Sequence, residues 1–323
     1  MSADVGTAPD ETKRGSASSS INPVSVRAVA RKDFQDSIRS WLFWGLSAFF
    51  FLLLVIAAGI LSSLGRDVTA QVSMFDVIVF WLIRITKIIV PLIALILGWK
   101  SIAGERESGS IKILLSLPHS RKDVILGKLL GRSAVLTVSL TVGFALAAVP
   151  IAAILGTFDV ANYVGLLVMS IIYGVAYTSI AVSLSSLTPS TTIAGAGIIS
   201  VFFLFYGVWN GLLGTFQLLG QRDILFFDTV TYTREIQGQE VLAERPPNWA
   251  YFIRAIDPGE AYINGLRLLT DVDLIENIVA FNAQLFGGEY PFYLTDWFSV
   301  LILLFWIVVP TAVALYRFDR VDI

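Results

Sequence analysis

Residues 42–64 read LFWGLSAFFFLLLVIAAGILSSL, a run without a single charged side chain. A helix needs about 20 mostly apolar residues to cross the hydrocarbon core of a bilayer, and this run is long enough. Working outward from it, five more such runs occur at 77–99, 133–155, 161–187, 193–219 and 297–316. Lipid offers no partner to backbone N–H and C=O groups, so each run is expected to be a helix. The short alternating segments of a membrane β-barrel are missing from the sequence. The whole chain agrees. Of 323 residues, 55% are hydrophobic and 15% charged, and the mean hydropathy is +0.74, whereas a soluble domain carries about 25% charged residues. The expected fold class is an all-α integral membrane protein with six transmembrane helices.

Charge orients the six spans. Lys13, Arg14, Arg27, Arg31, Lys32 and Arg39 precede the first. Lys100, Arg106, Lys112, Arg121, Lys122, Lys128 and Arg132 lie in 100–132, and Arg317 and Arg320 follow the sixth. Residues 220–296, by contrast, hold five arginines against twelve carboxylates. Basic segments stay on the cytoplasmic side, so both termini are expected in the cytoplasm and 220–296 outside, in a multi-pass protein of the plasma membrane. Residues 1–23, rich in Ser, Ala, Thr and Asp, read as a disordered cytoplasmic tail. Residues 24–41 place Val26, Val29, Phe34 and Ile38 along one helical face among basic residues, the pattern of an amphipathic helix lying on the membrane. In 220–296 the Pro246-Pro247 pair marks a break. The part before it, 221–245, reads as a small polar cap. The part after it is apolar and helical in pattern, suited to short re-entrant helices.

Composition also excludes chemistry. A net charge of −2 gives no nucleic-acid footprint. Without cysteine and with His119 as the one histidine, thiolate catalysis, disulfides and His- or Cys-built metal sites are not supported. No P-loop is present. Gly127-Lys128 lacks the upstream glycine and is followed by Leu129, so ATP cannot be cradled here. Gly195-Ala196-Gly197 and Gly207-x-x-x-Gly211 lie inside a span and read as close helix packing. Ser179, Ser183 and Ser185 have no histidine to activate them and are expected to bond backbone carbonyls.

The segment 104–132, GERESGSIKILLSLPHSRKDVILGKLLGR, carries the sharpest signal. Glu105, Arg106 and Glu107 form a charged triplet at the membrane edge. Ile111, Leu114 and Leu115 share one helical face, and Pro118 ends that short helix. Ser120 and Asp123 form an S-x-x-D start signal for the next helix. Lys128 and Arg132 are placed to snorkel to headgroups. A short helix with one apolar stripe must lie on the bilayer or dock into another protein.

This segment resembles the loop after the second span of ABC-2 type transporter permeases, whose pattern is similar to E-R-E-x-G-T-L-x-L-L-L-S-x-P-x-S-R-x-x-x-x-x-G-K. The matching positions are Glu105, Arg106, Glu107, Gly109, Leu114, Leu115, Pro118, Ser120, Arg121, Gly127 and Lys128; Ser110 and Ile111 depart mildly. Weaker patches at 30–44, 256–262 and 317–322 look like the family's connecting helix, a segment before its last span and its exit from that span. The resemblance implies that the short helix is a coupling helix seated on a separate ATP-binding subunit, which would hold ATP and Mg. Glu105, Arg106, Glu107, Gly109, Ile111, Leu114, Leu115, Pro118, Ser120 and Arg121 would then form the contact. It also implies pairing with a second permease subunit, as homodimer or heterodimer, and transport in the export direction.

Within the spans, Arg84 and Lys87 either face a translocation path with an anionic headgroup or substrate in it, or snorkel to the outer surface; the second reading is favoured for long basic side chains. Asn210 and Gln217 are further candidates for a path, as are Tyr173 and Tyr177, with core packing the blander reading of each. Three rival classes remain. A secondary transporter would need an internal repeat and midplane ionisable residues. A membrane-anchored sensor or assembly protein would use 220–296 as its receptor. A lipid-modifying enzyme would need a catalytic cluster.

Overall fold

The computed structural model describes residues 21–64, 74–111, 120–156, 158–222, 224, 228–236, 239–271 and 283–318. Six helical segments in it are long and apolar enough to cross a membrane. They are α2 (Trp41–Leu64), α3 (Met74–Trp99), α5 (Arg121–Leu155), α6 (Val160–Leu187), a broken fifth rod, and α11 (Asp296–Phe318). The fifth rod comprises α7 (Thr191–Phe203), a π-turn (Leu204–Val208) and α8 (Trp209–Gly220). The short α4 (Ala103–Glu107) follows α3. Since consecutive rods run antiparallel, Trp99, Leu187, Thr191 and Phe318 share one end of the bundle, called proximal here. Met74, Val160, Gly220 and Asp296 share the distal end.

The caps explain where these rods begin and stop. Ser120 and Asp123 form the expected capping box at the start of α5, with the Asp123 amide donating to Ser120 Oγ at 3.1 Å and the Ser120 amide to Asp123 Oδ2 at 3.0 Å. Gly156, at φ 71°, closes the far end of α5 in the left-handed conformation that glycine adopts freely. Asp159 and Ser190 cap α6 and α7 by accepting from Asn162 N and Ile193 N. The third rod starts earlier than the apolar run at 133, because the polar turns from Arg121 to Arg132 find ion-pair partners and remain helical.

Burial ranks the rods. In α6, 67% of the membrane-length stretch is buried within the chain, against 17% along α7–α8. Thus α6 forms the centre and α7–α8 the rim. Tyr173, Tyr177, Phe144, Leu54, Ile78, Leu82 and Leu95 sit in the main core without solvent access.

Two elements differ from expectation. Helix α1 (Pro23–Ile38) forms, capped by Asn22 with Pro23 at its first position. Its apolar face, however, is covered by α5 rather than left for the bilayer: Val26 and Val29 are buried against it. Gly127 and Gly131 permit this approach, since a Cβ on them would lie 2.5 Å from Val29 Cβ and 2.8 Å from Asp33 Oδ2. The second difference lies in 221–245. The polar cap is a two-stranded antiparallel hairpin, β1 (Val230–Ile236) paired with β2 (Gln239–Arg245), with Val230 opposite Arg245 and Ile236 opposite Gln239. The run Val230-Thr-Tyr-Thr is rich in residue types that favour strands, and among the described residues the hairpin is the β element at the distal end of a helical fold.

After the hairpin the chain dips into the bundle. Helix α9 (Asn248–Ala255) leads to Asp257, and α10 (Pro258–Gly265) returns from it, continued by a 3-10 turn at Leu266–Leu268. The turn at 255–258 is deep. Ile253 O accepts from Trp209 Nε1 at 3.1 Å and Ile256 O from Trp306 Nε1 at 2.8 Å. Trp209 and Trp306 lie about 15 Å or more from the distal ends of their rods at 1.5 Å per residue. The Trp306 indole serves a carbonyl just past the end of α9, and the Trp209 indole adds a second donor to Ile253 O, which also accepts from Ile256 N at 3.3 Å.

Candidate functional site

The charged triplet at the proximal end is a fastening point. Glu105 Oε1 meets Lys128 Nζ at 2.5 Å. Lys128 also pairs with Asp33 Oδ1 at 2.9 Å, and Arg132 Nε lies 3.1 Å from Asp33 Oδ2. Asp33 is almost fully buried, and two cations against two carboxylates balance the group. Lys128 and Arg132 were expected to snorkel to headgroups; instead Asp33, on the docked face of α1, draws both inward, because a buried carboxylate needs paired charge. Arg106 Nη1 donates to Thr188 O at 3.0 Å, at the end of α6, and its guanidinium lies 5.1 Å from the Phe318 ring centroid at the end of α11. Glu107 Oε2 accepts from Thr191 N at 3.1 Å and Thr191 Oγ1 at 2.6 Å, at the first turn of α7, where a negative charge also meets the positive end of the helix dipole.

Backbone contacts tighten this platform. Ser185 Oγ accepts from Ile102 N and Ala103 N at 3.1 and 3.0 Å and donates to Trp99 O at 2.7 Å. Trp99 Nε1 donates to Thr191 O at 2.6 Å, and Arg121 Nη1 to Phe318 O at 3.1 Å. Gly109 turns the chain at φ 74°. Ile111 is buried with Ile102, Ile125, Leu129, Val182, Ala314 and Phe318. So α4, a helix of little more than one turn, is tied to α1, α5, α6, α7 and α11. Leu114, Leu115, Pro118 and His119, which carry the rest of the expected docking helix, lie outside the described residues.

A second polar group lies deep in the bundle where α9 and α10 meet α3. Lys87 Nζ pairs with Glu260 Oε1 at 2.8 Å, and Arg254 Nη2 with Glu260 Oε2 at 3.1 Å. Lys87 therefore does not snorkel outward as expected; it is buried, at 9% side-chain exposure, against a carboxylate that α10 delivers. Asp257 starts α10 by accepting from Gly259 N and Glu260 N. Pro91 stands four residues after Lys87 and has no N–H for the Lys87 carbonyl. The Tyr173 hydroxyl donates to that orphaned oxygen at 2.9 Å, and the Tyr206 hydroxyl donates to it as well. Tyr173 stacks on Tyr262 at 4.6 Å, and Tyr262 meets Ser170 at 3.2 Å.

Arg84, one turn distal to Lys87, is exposed, lies over the Phe80 ring at 5.2 Å and borders one cavity with Arg254 and Glu260. The remaining path candidates sit apart. Asn210 donates to Tyr206 O at 2.8 Å and Phe205 O at 3.4 Å, bracing the π-turn. Gln217 donates to Glu244 O at 3.4 Å, joining α8 to the hairpin. Ser179 and Ser185 do bond carbonyls, of Ile307 at 2.7 Å and Trp99, across helices. Gly195 and Gly197 approach Trp99 and Leu184 closely, while Gly211 faces open space.

Asp33, Glu260 and Tyr206 were missed from sequence, as was the role of Ser185 in accepting from Ile102 N and Ala103 N. Asp33 had a signal: it falls four and seven residues after Val29 and Val26, on the buried stripe. Asp257-Pro258-Gly259-Glu260 also had one, a capping aspartate before a first-turn proline. Nothing in sequence linked Glu260 to a lysine 173 residues away.

Six helical segments long and apolar enough to cross a membrane, a helical pair packed among them and a braced proximal platform describe a multi-pass membrane protein. The family model for ABC-2 family transporter proteins matches residues 27–323, and the chain belongs to that family. Two curated relatives are named probable ABC transporter permease protein NosY. That of Pseudomonas aeruginosa is 27% identical over 272 residues, covering 82% of this chain and 86% of the relative. That of Stutzerimonas stutzeri is 28% identical over 200 residues, covering 60% and 71%. The family and these names make the chain a multi-pass permease of transport systems in which relatives serve as permeases rather than ATPases.

Proposed function

We propose that this chain is the membrane-spanning subunit of an ATP-driven exporter, coupled to a separate ATP-binding subunit through its proximal end and the segment 111–118. The observation that carries this reading is the triplet Glu105-Arg106-Glu107, whose three side chains grip three different neighbours: Lys128 of α5, Thr188 with Phe318, and Thr191 of α7. A push on this segment would not be absorbed locally. It would be passed at once to α1, α5, α6, α7 and α11, as a lever must do. The exposed cations of α1 (Arg27, Arg31 and Lys32) lie at the same end, which supports a cytoplasmic assignment.

ATP and Mg then belong to the partner, whose closure would favour one arrangement of the rods over another. The re-entrant pair, latched to α3 through Lys87–Glu260, forms the distal barrier that must yield for export. A second permease subunit would cover α7–α8, the least buried rod, whose Gly207-x-x-x-Gly211 face has an open approach at Gly211. Apolar rods favour a lipid-like or amphipathic cargo. The test is reconstitution: the chain and its ATP-binding subunit in proteoliposomes should hydrolyse ATP faster when an exported amphiphile is supplied. Movement of cargo driven by an ion gradient, without the ATPase, would overturn the proposal.

A further inference from the structure

Between α3 and the re-entrant pair lies a cavity of about 120 Å³, lined by Arg84, Tyr251, Arg254, Glu260, Asn264 and apolar side chains. That is well below the roughly 300–1,000 Å³ of a pocket for a drug-sized molecule, so it suits a small polar head. Its donors are free to bind. Among the described residues, Arg84 has no carboxylate within ion-pair distance, and neither the Asn264 amide nor the Tyr251 hydroxyl makes a protein hydrogen bond. Arg254 uses one nitrogen on Glu260 and stays 41% exposed. Glu260, the one acid in the lining, is held by both Lys87 and Arg254. Counting Asp257 behind it, three cations face two carboxylates, and the unmatched charge is Arg84. Two guanidinium forks, an amide and a phenol around one small space recognise a tetrahedral oxyanion better than a cation or an apolar group.

We propose that this cavity binds a phosphate head, either that of an anionic phospholipid or free phosphate. Arg84 supplies the main counter-charge, Asn264 and Tyr251 donate to the remaining oxygens, and Arg254 shares itself between the head and Glu260. The inference needs only this chain and is independent of the ATP-binding partner.

The test uses the purified full-length chain in phosphatidylcholine nanodiscs, without any ATPase. Inorganic phosphate and short-chain phosphatidylglycerol are titrated as separate probes, and each is then used to compete with the other. Wild type should bind at least one probe. Arg84→Gln, at an exposed position that should fold normally, should weaken binding tenfold or more, as should Asn264→Leu, while Lys100→Gln at the proximal end should change nothing. Binding of phosphatidylglycerol that free phosphate does not displace identifies a lipid head; binding of phosphate alone, with the same dependence on Arg84, identifies the free ion. Absence of binding to wild type, or equal binding by Arg84→Gln and wild type, overturns the proposal.

Discussion

Glu260→Gln should destabilise the bundle far more than Lys87→Met, although both remove the same ion pair. In the wild type Lys87 and Glu260 are 9% and 15% exposed at the side chain and 2.8 Å apart. Among the described residues, Glu260 is the only carboxylate within ion-pair distance of Lys87. Removing it leaves the buried ammonium without an ion-pair partner, since Asp257 behind it is engaged with Gly259 N and Glu260 N, at a cost of about 3–5 kcal/mol, a hundredfold or more in the folded-to-unfolded ratio. Removing Lys87 leaves Glu260 with Arg254, 3.1 Å away and partly solvated. The loss is then that of one charged hydrogen bond, about 1.5–3 kcal/mol. The double variant removes both charges together, and replacing a buried pair by neutral groups is often close to neutral. It should therefore lie well above the sum of the singles, with a coupling of about 2 kcal/mol or more. The assay is reversible unfolding of the purified chain in mixed micelles, read by tryptophan fluorescence, for all four corners of the cycle. Additivity within about 0.5 kcal/mol, as seen for sites that do not interact, would refute the latch.

Other outcomes follow from single contacts. Gly131→Leu, whose Cβ would fall 2.8 Å from Asp33 Oδ2, should lift α1 off α5 at a cost of about 1–3 kcal/mol and open the chain to protease near Ser40; continued protection would contradict the docking of α1. Ser120→Ala removes half of the capping box and should lower stability by about 1 kcal/mol, seen as an earlier unfolding midpoint. Gly211→Phe should leave the fold intact, since its surroundings are open, but should weaken pairing of two permease subunits, measured by mass photometry.

The six rods could be read from sequence because membrane length and apolarity are local properties of the chain. The start of α5 was equally readable, since Ser120 and Asp123 lie three residues apart. What escaped was set by distant partners. Lys128 and Arg132 looked like headgroup ligands until Asp33, about a hundred residues earlier, arrived on the buried face of α1. Lys87 looked like a snorkelling cation because Glu260 lies 173 residues on, carried by a helical pair whose depth in the bundle no local pattern states. The hairpin was missed for another reason: 221–245 is polar on both faces, so no buried stripe marks its period. Of the proximal site, the triplet could be picked out by resemblance and Ser120 also by its spacing to Asp123, whereas what Glu105, Arg106 and Glu107 each hold could not.

The central claim is that segment 111–118 is the handle by which an ATP-driven partner moves this chain. With no native cysteine, a single Ser116→Cys substitution permits site-specific photocrosslinking in native membranes. The account predicts a crosslink to a nucleotide-hydrolysing subunit, lost together with co-purification of that subunit when Leu114→Asp is added, while the unfolding midpoint of the permease stays put. Crosslinking to lipid alone, with no ATPase retained by the unmodified chain, would contradict it.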